Sequence, residues 1–275
     1  MKYRLIAIDM DGTLLNSNNE ISKRNLAALY KAREKGLHVV LNTGRILRSA
    51  FYYANSIELN NPVIACNGAI ITCKDEEDII YENKMSIETS KEIFKISDEF
   101  DMKYYFYNRD TFFAKELHDG VKKFYGNNGE AWTEQGIKVE VSEDITEIVG
   151  TEINEIYKFV FIEDDRDKLL NFRKELDSIK GINVSSSWYN NIEIMNEGVS
   201  KGEALEYLCN ALKIEKSEVI AIGDNENDIS MLQMAGLAVA MENGDDIAKE
   251  YSHIITGTNN EDGVAQIIEK YVLNS

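Results

Sequence analysis

The chain has 275 residues, 44% of them hydrophobic, and a formal net charge of −18. That length allows one large domain or two modest ones, and the apolar fraction supports a packed core rather than disorder. So acidic a chain lacks the basic footprint that nucleic acid or an anionic membrane needs, so an anionic partner must be captured locally by a metal and a few placed donors.

In chain order, the first apolar run is Leu5-Ile6-Ala7-Ile8, a buried strand that ends in Asp9-Met10-Asp11-Gly12-Thr13. Ser22 is placed to cap a helix that ends at Gly36. Leu37 to Thr43 reads as a second strand, 46–57 as a helix, and Val63 to Cys66 as a third strand after Pro62. This rhythm predicts right-handed strand–helix–strand units and a parallel sheet.

The texture changes after residue 83. A helix over 86–100 is followed by the aromatic strands Tyr104 to Tyr107 and Phe112 to Ala114, then by strand Tyr157 to Ile162 and a helix over 165–179. Ile182 to Ser187 and Asn191 to Met195 read as a hairpin, while the acidic run Asp75 to Asp78 reads as a solvated hairpin turn. Paired strands with interspersed helices predict an α+β module with an antiparallel sheet.

Regular alternation returns with a helix from Lys201 to 212 and the strand Val219-Ile220-Ala221-Ile222. That strand leads into Gly223-Asp224-Asn225-Glu226-Asn227-Asp228. A helix carrying Ile229 and Leu232, a strand Leu237 to Met241, and a last strand and helix complete the chain. The expected fold is α/β: a Rossmann-like core from 1–84 and 190–275, with an inserted α+β cap over 85–189. Cys66, Cys73 and Cys209 show neither a disulfide framework nor zinc spacing, and His38, His118 and His253 share no metal spacing. With no apolar leader and no run near the roughly 18 residues of a membrane span, a cytoplasmic protein is expected.

The chemistry concentrates at strand ends. Asp9, Asp11 and Asp224 follow buried strands, where open α/β sheets build their sites. Converging carboxylates repel one another unless a cation neutralises them, and oxygen ligands suit Mg²⁺. A calcium loop is excluded, because Gly12 comes fourth rather than sixth in its loop. Thr43-Gly44-Arg45 offers a hydroxyl and backbone N–H groups at a helix start, an anion cradle. Lys201, just after a capping Ser200, opposes the helix dipole there, which points to another duty. The aromatic strand Tyr104 to Tyr107 reads as a half-buried sheet, and Trp188 and Tyr189 as packing at the return from cap to core.

These four signatures, in this order and with Lys201-Gly202 as the third, resemble the haloacid dehalogenase superfamily and, within it, the Cof-type phosphatases. Asn67-Gly68-Ala69 and Glu261-Asp262-Gly263-Val264-Ala265 add to the likeness, whereas Glu242 and Gly244 depart from its usual Gly and Ala. The resemblance implies a phosphatase acting on a small phosphorylated metabolite, such as a sugar phosphate, through an aspartyl phosphate on Asp9. It implies that Asp11 is the general acid and base, and that Asp9, the Asp11 backbone carbonyl and Asp224 hold Mg²⁺. Gly12, Thr43, Gly44, Lys201 and Asn227 would contact phosphate, with Asp228 supporting Lys201 or the metal. A phosphomutase would need further cations in the cap, and a non-catalytic sensor would have no need of Asp11.

Overall fold

The structure is a computed structural model that describes residues 2–58, 61–73, 75–117 and 130–274; His118 lies outside them. The chain opens with β1 (Leu5–Ile8), α1 (Lys23–Glu34), β2 (His38–Asn42), α2 (Leu47–Ser56) and β3 (Val63–Ala65). Ser22 caps α1 by accepting the Asn25 N–H, and Gly36 turns the chain out of the helix at φ +86°. A hairpin of β4 (Ile70–Thr72) and β5 (Ile79–Glu82) follows, with the acidic run at its tip.

The middle of the chain holds α3 (Ile87–Glu99), β6 (Lys103–Tyr107), β7 (Thr111–Ala114), α4 (Glu130–Glu134), β8 (Lys138–Val141), β9 (Lys158–Ile162), α5 (Arg166–Leu176), β10 (Ile182–Ser185) and β11 (Asn191–Asn196). The last part holds α6 (Lys201–Leu212), β12 (Val219–Gly223), α7 (Ile229–Met234), β13 (Leu237–Met241), α8 (Asp246–Glu250), β14 (Ile254–Thr256) and α9 (Gly263–Ile268).

The strands form two sheets. The larger has the order β14-β13-β12-β1-β2-β3-β4-β5, parallel from β14 to β3 and antiparallel through β4 and β5. Its strands read as unbroken apolar runs because both faces are covered. Ile6, Ile8 and Ile222 point into one layer with Ala28 and Leu29, while Leu5, Ala7 and Val219 point into the other with Leu205 and Leu208. Each fully buried Ile, Leu or Val side chain among them contributes about 1.5–3 kcal/mol. The path runs outward through β2 and β3 on one side of β1 and through β12, β13 and β14 on the other. The point where strand order reverses therefore lies between β1 and β12, above Asp9 and Asp224.

The smaller sheet has the order β10-β11-β9-β6-β7-β8. It is antiparallel except that β8 pairs parallel with β7. The return to the core expected at residue 190 falls later. β11 pairs with β9 from Asn191↔Ile162 onward and with β10 up to Ile182↔Asn196, so this sheet keeps the chain to Asn196. The reason is the alternation in β11: Ile192 and Ile194 pack with Phe159, Phe161 and Phe172 behind the sheet. Among the described residues, no helix is long and apolar enough to cross a membrane.

Candidate active site

The register sets Ile8 opposite both Ile222 and Leu41, so Asp9, Asp224 and Thr43 leave the sheet at one edge. The loop after β1 and the loop after β12 then close on each other. Gly12 sits at φ +78°, and a Cβ there would lie 2.3 Å from Asp224 Oδ2, so only glycine permits this approach. Thr13 Oγ1 donates to Asp224 Oδ1 at 2.8 Å, and Asn225 Nδ2 donates to Asp224 Oδ2 at 2.8 Å. Asp228 Oδ2 accepts the N–H groups of Asp224 and Asn225 at 2.8 and 3.0 Å. Ser200 caps α6 by accepting the Glu203 N–H, which puts Lys201 in the first turn, wholly buried. Its Nζ lies 2.6 Å from Asp9 Oδ1 and 2.6 Å from Asp228 Oδ1.

Asp9, Asp224 and Asp228 each offer an oxygen within 4.8 Å of the others, and all three are buried. One ammonium against three carboxylates leaves two negative charges uncompensated. Burial therefore pushes the Asp9 carboxyl up to about 7, opposed by Lys201 and reinforced by Asp228 and Asp11. Burial, then Asp9 and Asp228, raise Asp224 well above the usual carboxylate range. Burial alone would lower the Lys201 ammonium, but Asp228 and Asp9 outweigh it and raise it. An oxygen-only set with excess negative charge fits a hard cation such as Mg²⁺.

The Asp11 side chain is directed elsewhere. Arg45 grips it with both arms, Nε to Oδ2 at 2.7 Å and Nη2 to Oδ1 at 2.6 Å. Burial pushes the Asp11 carboxyl up, but Arg45 outweighs burial and holds it below its ordinary value. The side chains clustered with Asp9 and Asp224 are thus those of Asp228 and Lys201. Arg45 Nη1 also donates to Ser49 Oγ at 3.0 Å.

Thr43 is buried beside this cluster, and its Oγ1 accepts the Arg45 N–H at 3.1 Å. The Gly44 carbonyl takes two hydrogen bonds from the smaller sheet, from Tyr107 Oη at 2.7 Å and Lys158 Nζ at 2.6 Å. Lys158 also pairs with Glu193 at 2.6 Å, both nearly inaccessible to solvent. Asn67, at φ +56° in a tight turn after β3, donates to Glu193 Oε2 at 2.6 Å and accepts from Asn227 Nδ2 at 3.2 Å. The expected phosphate contact Asn227 therefore faces Asn67 here. Gly244 packs against the Asp224 backbone, where a Cβ would meet the Asp224 carbonyl oxygen at 2.7 Å, while Glu242 is exposed.

Lys158, Glu193 and the Asp11–Arg45 pairing were not legible from sequence alone. A lysine flanked by aromatic residues in β9 looks like the wet position of an alternating strand. Only the pairing Tyr107↔Lys158 and Val160↔Glu193 shows that the face in question is turned toward the core.

This constellation at the switch point of a parallel sheet defines a class, and the chain belongs to the haloacid dehalogenase-like hydrolases, whose family model matches residues 6–268. Within it the chain is a phosphoric monoester hydrolase, the class of the phosphatases it resembles. It is 36% identical over 276 residues to a 5-amino-6-(5-phospho-D-ribitylamino)uracil phosphatase of Bacillus subtilis (strain 168), covering 98% of this chain and 96% of that one. It is 29% identical over 278 residues to the pyridoxal phosphate phosphatase of Escherichia coli (strain K12), covering 99% of this chain and 100% of that one. The solved structure of a haloacid dehalogenase-like hydrolase from B. subtilis matches with a TM-score of 0.87 at 27% identity, covering 99% of this chain and 100% of that one.

Proposed function

We propose that the chain hydrolyses its phosphate monoester in two displacements through a phosphoryl group carried on Asp9, with Mg²⁺ as its cation. The observation that carries this reading is the buried cluster Asp9, Asp224 and Asp228, whose charge Lys201 only partly offsets. Asp9 and Asp224 would hold the Mg²⁺, which would offset charge between nucleophile and substrate and on the transferring group. An Asp9 carboxylate oxygen attacks phosphorus, and the ester oxygen departs with its electron pair and takes a proton. Water then attacks the acyl phosphate, loses a proton to a base, and releases phosphate and the Asp9 carboxylate. Lys201 and the backbone around Thr43 and Gly44 bind the phosphoryl oxygens.

Asp11 serves as the acid in the first displacement and the base in the second. Its pairing with Arg45 keeps it anionic, which suits the base. Delivering a proton to the leaving oxygen requires it to loosen from Arg45. The residues from 85 to Asn196 form a cap that chooses the leaving group and opens over the core, pivoting near 83–86 and after Asn196. The phosphomutase alternative is disfavoured because Lys158, the buried cation of the cap face, is already matched by Glu193. The substrates named for the two relatives, a ribitylaminouracil phosphate and pyridoxal phosphate, are the first compounds to try.

The test is rapid-quench mass spectrometry with an aryl phosphate, whose leaving group hardly needs a proton. Asp11→Asn should accumulate a phosphorylated peptide containing residue 9, and Asp9→Asn should give none. Label on the Asp9→Asn variant would reverse the two assignments.

A further inference from the structure

Resting on the phosphatase reading above, we propose that Asn243 is a positioning residue for the metal site, bracing the loop after β1 from outside both acidic loops. The register of the larger sheet places it there. Gly223 pairs with Ala240, so the loop after β13 leaves the sheet beside Asp224. That loop, 242–245, touches both acidic loops. Gly244 lies against the Asp224 backbone, and the Asp245 N–H donates to the Asp224 carbonyl at 2.8 Å. Between them, Asn243 Nδ2 reaches the other loop and donates to the Gly12 carbonyl at 2.8 Å.

Gly12 is the soft point of the first loop. The approach of Asp224 forces glycine there, and glycine has the freest backbone of any residue. The Asp11 carbonyl, expected to ligate the cation, is one peptide away. The turn therefore needs a hold from elsewhere, and a primary amide suits the place. Its Nδ2 meets a carbonyl, while its Oδ1 accepts the Asn259 N–H at 2.9 Å, so one end must donate and the other accept. Asn259 is itself fixed: it is 9% exposed, and its Nδ2 donates to the Leu15 carbonyl at 2.8 Å. One bracket, built from the loop after β13 and the segment before α9, thus grips the first loop at Gly12 and again at Leu15.

A second tie joins the same segments further out. Asn260 Oδ1 accepts the Ser17 N–H at 3.0 Å, and Asn260 Nδ2 donates to Ser17 Oγ at 2.8 Å. This tie fastens the loop without touching Gly12. Groups that hold ligands in place contribute to metal affinity beside the ligands themselves. Without Asn243 the turn at Gly12 must be ordered when the cation binds, and that cost weakens binding. Loss of the outer tie at Asn260 carries no such cost. Asn243 is exposed, so removing its side chain leaves the fold in place.

The test compares the wild type with Asn243→Ala, Asn243→Gln and Asn260→Ala, titrating Mg²⁺ at pH 8. One readout is phosphate release from p-nitrophenyl phosphate, and the other is the melting temperature with no substrate present. Asn243→Ala should need about 3- to 10-fold more Mg²⁺ for half its effect in both, the worth of one hydrogen bond. In excess Mg²⁺ its kcat should return to near the wild-type value, which general damage to the site would not allow. Asn243→Gln keeps the amide and should recover part of the shift, and Asn260→Ala should show none. In the chelated protein, amide hydrogen exchange over residues 10–15 should be faster in Asn243→Ala than in Asn260→Ala. An unchanged Mg²⁺ requirement, equal effects of the two alanine variants, or a kcat that excess Mg²⁺ does not restore would overturn the proposal. Failure of the phosphatase reading looks different: the wild type releases no phosphate, while the melting titration still decides the brace. A wild type whose melting temperature ignores Mg²⁺ would overturn both.

Discussion

The site is bounded by two buried lysines in opposite circumstances. Lys201, in the floor, meets Asp9 and Asp228 with Asp224 alongside, so three carboxylates face one ammonium. Lys158, in the roof, meets Glu193 alone and is balanced one to one. The remaining bonds of Glu193 come from Asn67 and Ser187, and Lys158 also finds the Gly44 carbonyl. The roof is electrically complete without a ligand and behaves as structure. The floor carries more carboxylates than its one ammonium can offset, so it holds protons in their place or has room for a further cation. The same residue type at the same depth thus has a different role because of how many carboxylates surround it.

The most severe way to break this contrast is to alter the floor. Asp9→Asn should lower phosphate release by about 10⁴-fold or more, as removing a nucleophile does elsewhere. Its melting temperature should stay level or rise, because one carboxylate leaves an over-charged cluster while Lys201 keeps Asp228. Activity assays and thermal scans on the same preparation check both halves. A variant that loses activity only because it melts would contradict the site assignment.

The roof should respond in the opposite sense, through stability. Lys158→Met strands Glu193 as a buried unpaired charge, a loss of about 3–5 kcal/mol. For a chain of this size that is a fall on the order of 10 °C. Replacing both partners, Lys158→Met with Glu193→Leu, should return much of it, because an apolar pair has no charge to desolvate. Thermal melts of the three proteins decide the matter. If the double variant were no better than the single, the pair would owe its place to its hydrogen bonds with Gly44 and Asn67.

The two regions were also unequally legible in the sequence. The floor lies at the ends of Leu5–Ile8 and Val219–Gly223, runs buried on both faces, so their apolar character is unbroken and the acids after them stand out. The roof lies on strands with one face toward the core and one toward α3 and α5. There Lys158 and Glu193 occupy alternate positions, and alternation alone cannot say which face is wet. Strand β8 was missed for a related reason: Lys138-Val139-Glu140-Val141 is a largely exposed edge, with little burial to mark it. The hairpin tip at Asp75 to Asp78 was visible, but its three- and four-residue strands were too short to name. The grip of Arg45 on Asp11 joins residues 34 apart and needed the fold to bring it about.

The electrical deficit of the floor predicts a pH dependence with a definite sign. Asp9 holds its proton up to about 7 in the fold and loses it in the ordinary carboxylate range when unfolded. Asp224 is raised in the same direction. Between those limits the folded chain binds more protons than the unfolded one, so stability falls as pH rises. The chelated protein should therefore melt higher at pH 5.5 than at pH 8. Mg²⁺ should stabilise it more at pH 8, where the carboxylates are ionised, by about 2.7 kcal/mol at 100 times its dissociation constant. Melting curves with chelator and with Mg²⁺ at the two pH values test this. An equal Mg²⁺ effect at both would mean that the cation does not bind at these carboxylates. Activity in excess chelator should vanish at either pH.

The smallest effect belongs to the link between the two regions. Arg173 on α5 reaches across to Glu226, which sits between Asp224 and Asp228, and it also donates to Ser186 Oγ at 3.0 Å. Beside it, the Asn227 N–H donates to the Ser186 carbonyl at 3.1 Å. Roof and floor are therefore fastened together at the loop that carries two of the clustered carboxylates. Both side chains of the ion pair are about one-third exposed, so the pair contributes no more than about 1 kcal/mol and weakens with salt. Arg173→Ala should barely move the melting temperature. It should raise KM by about 2- to 5-fold, as expected for loss of up to about 1 kcal/mol of closed-state stability, and leave kcat nearly unchanged. A swap, Arg173→Glu with Glu226→Arg, should recover part of the loss. The decisive measurement is KM against ionic strength: it should climb with salt in the wild type and stay flatter in Arg173→Ala. Parallel salt curves would show that this contact does not hold the roof closed over the floor.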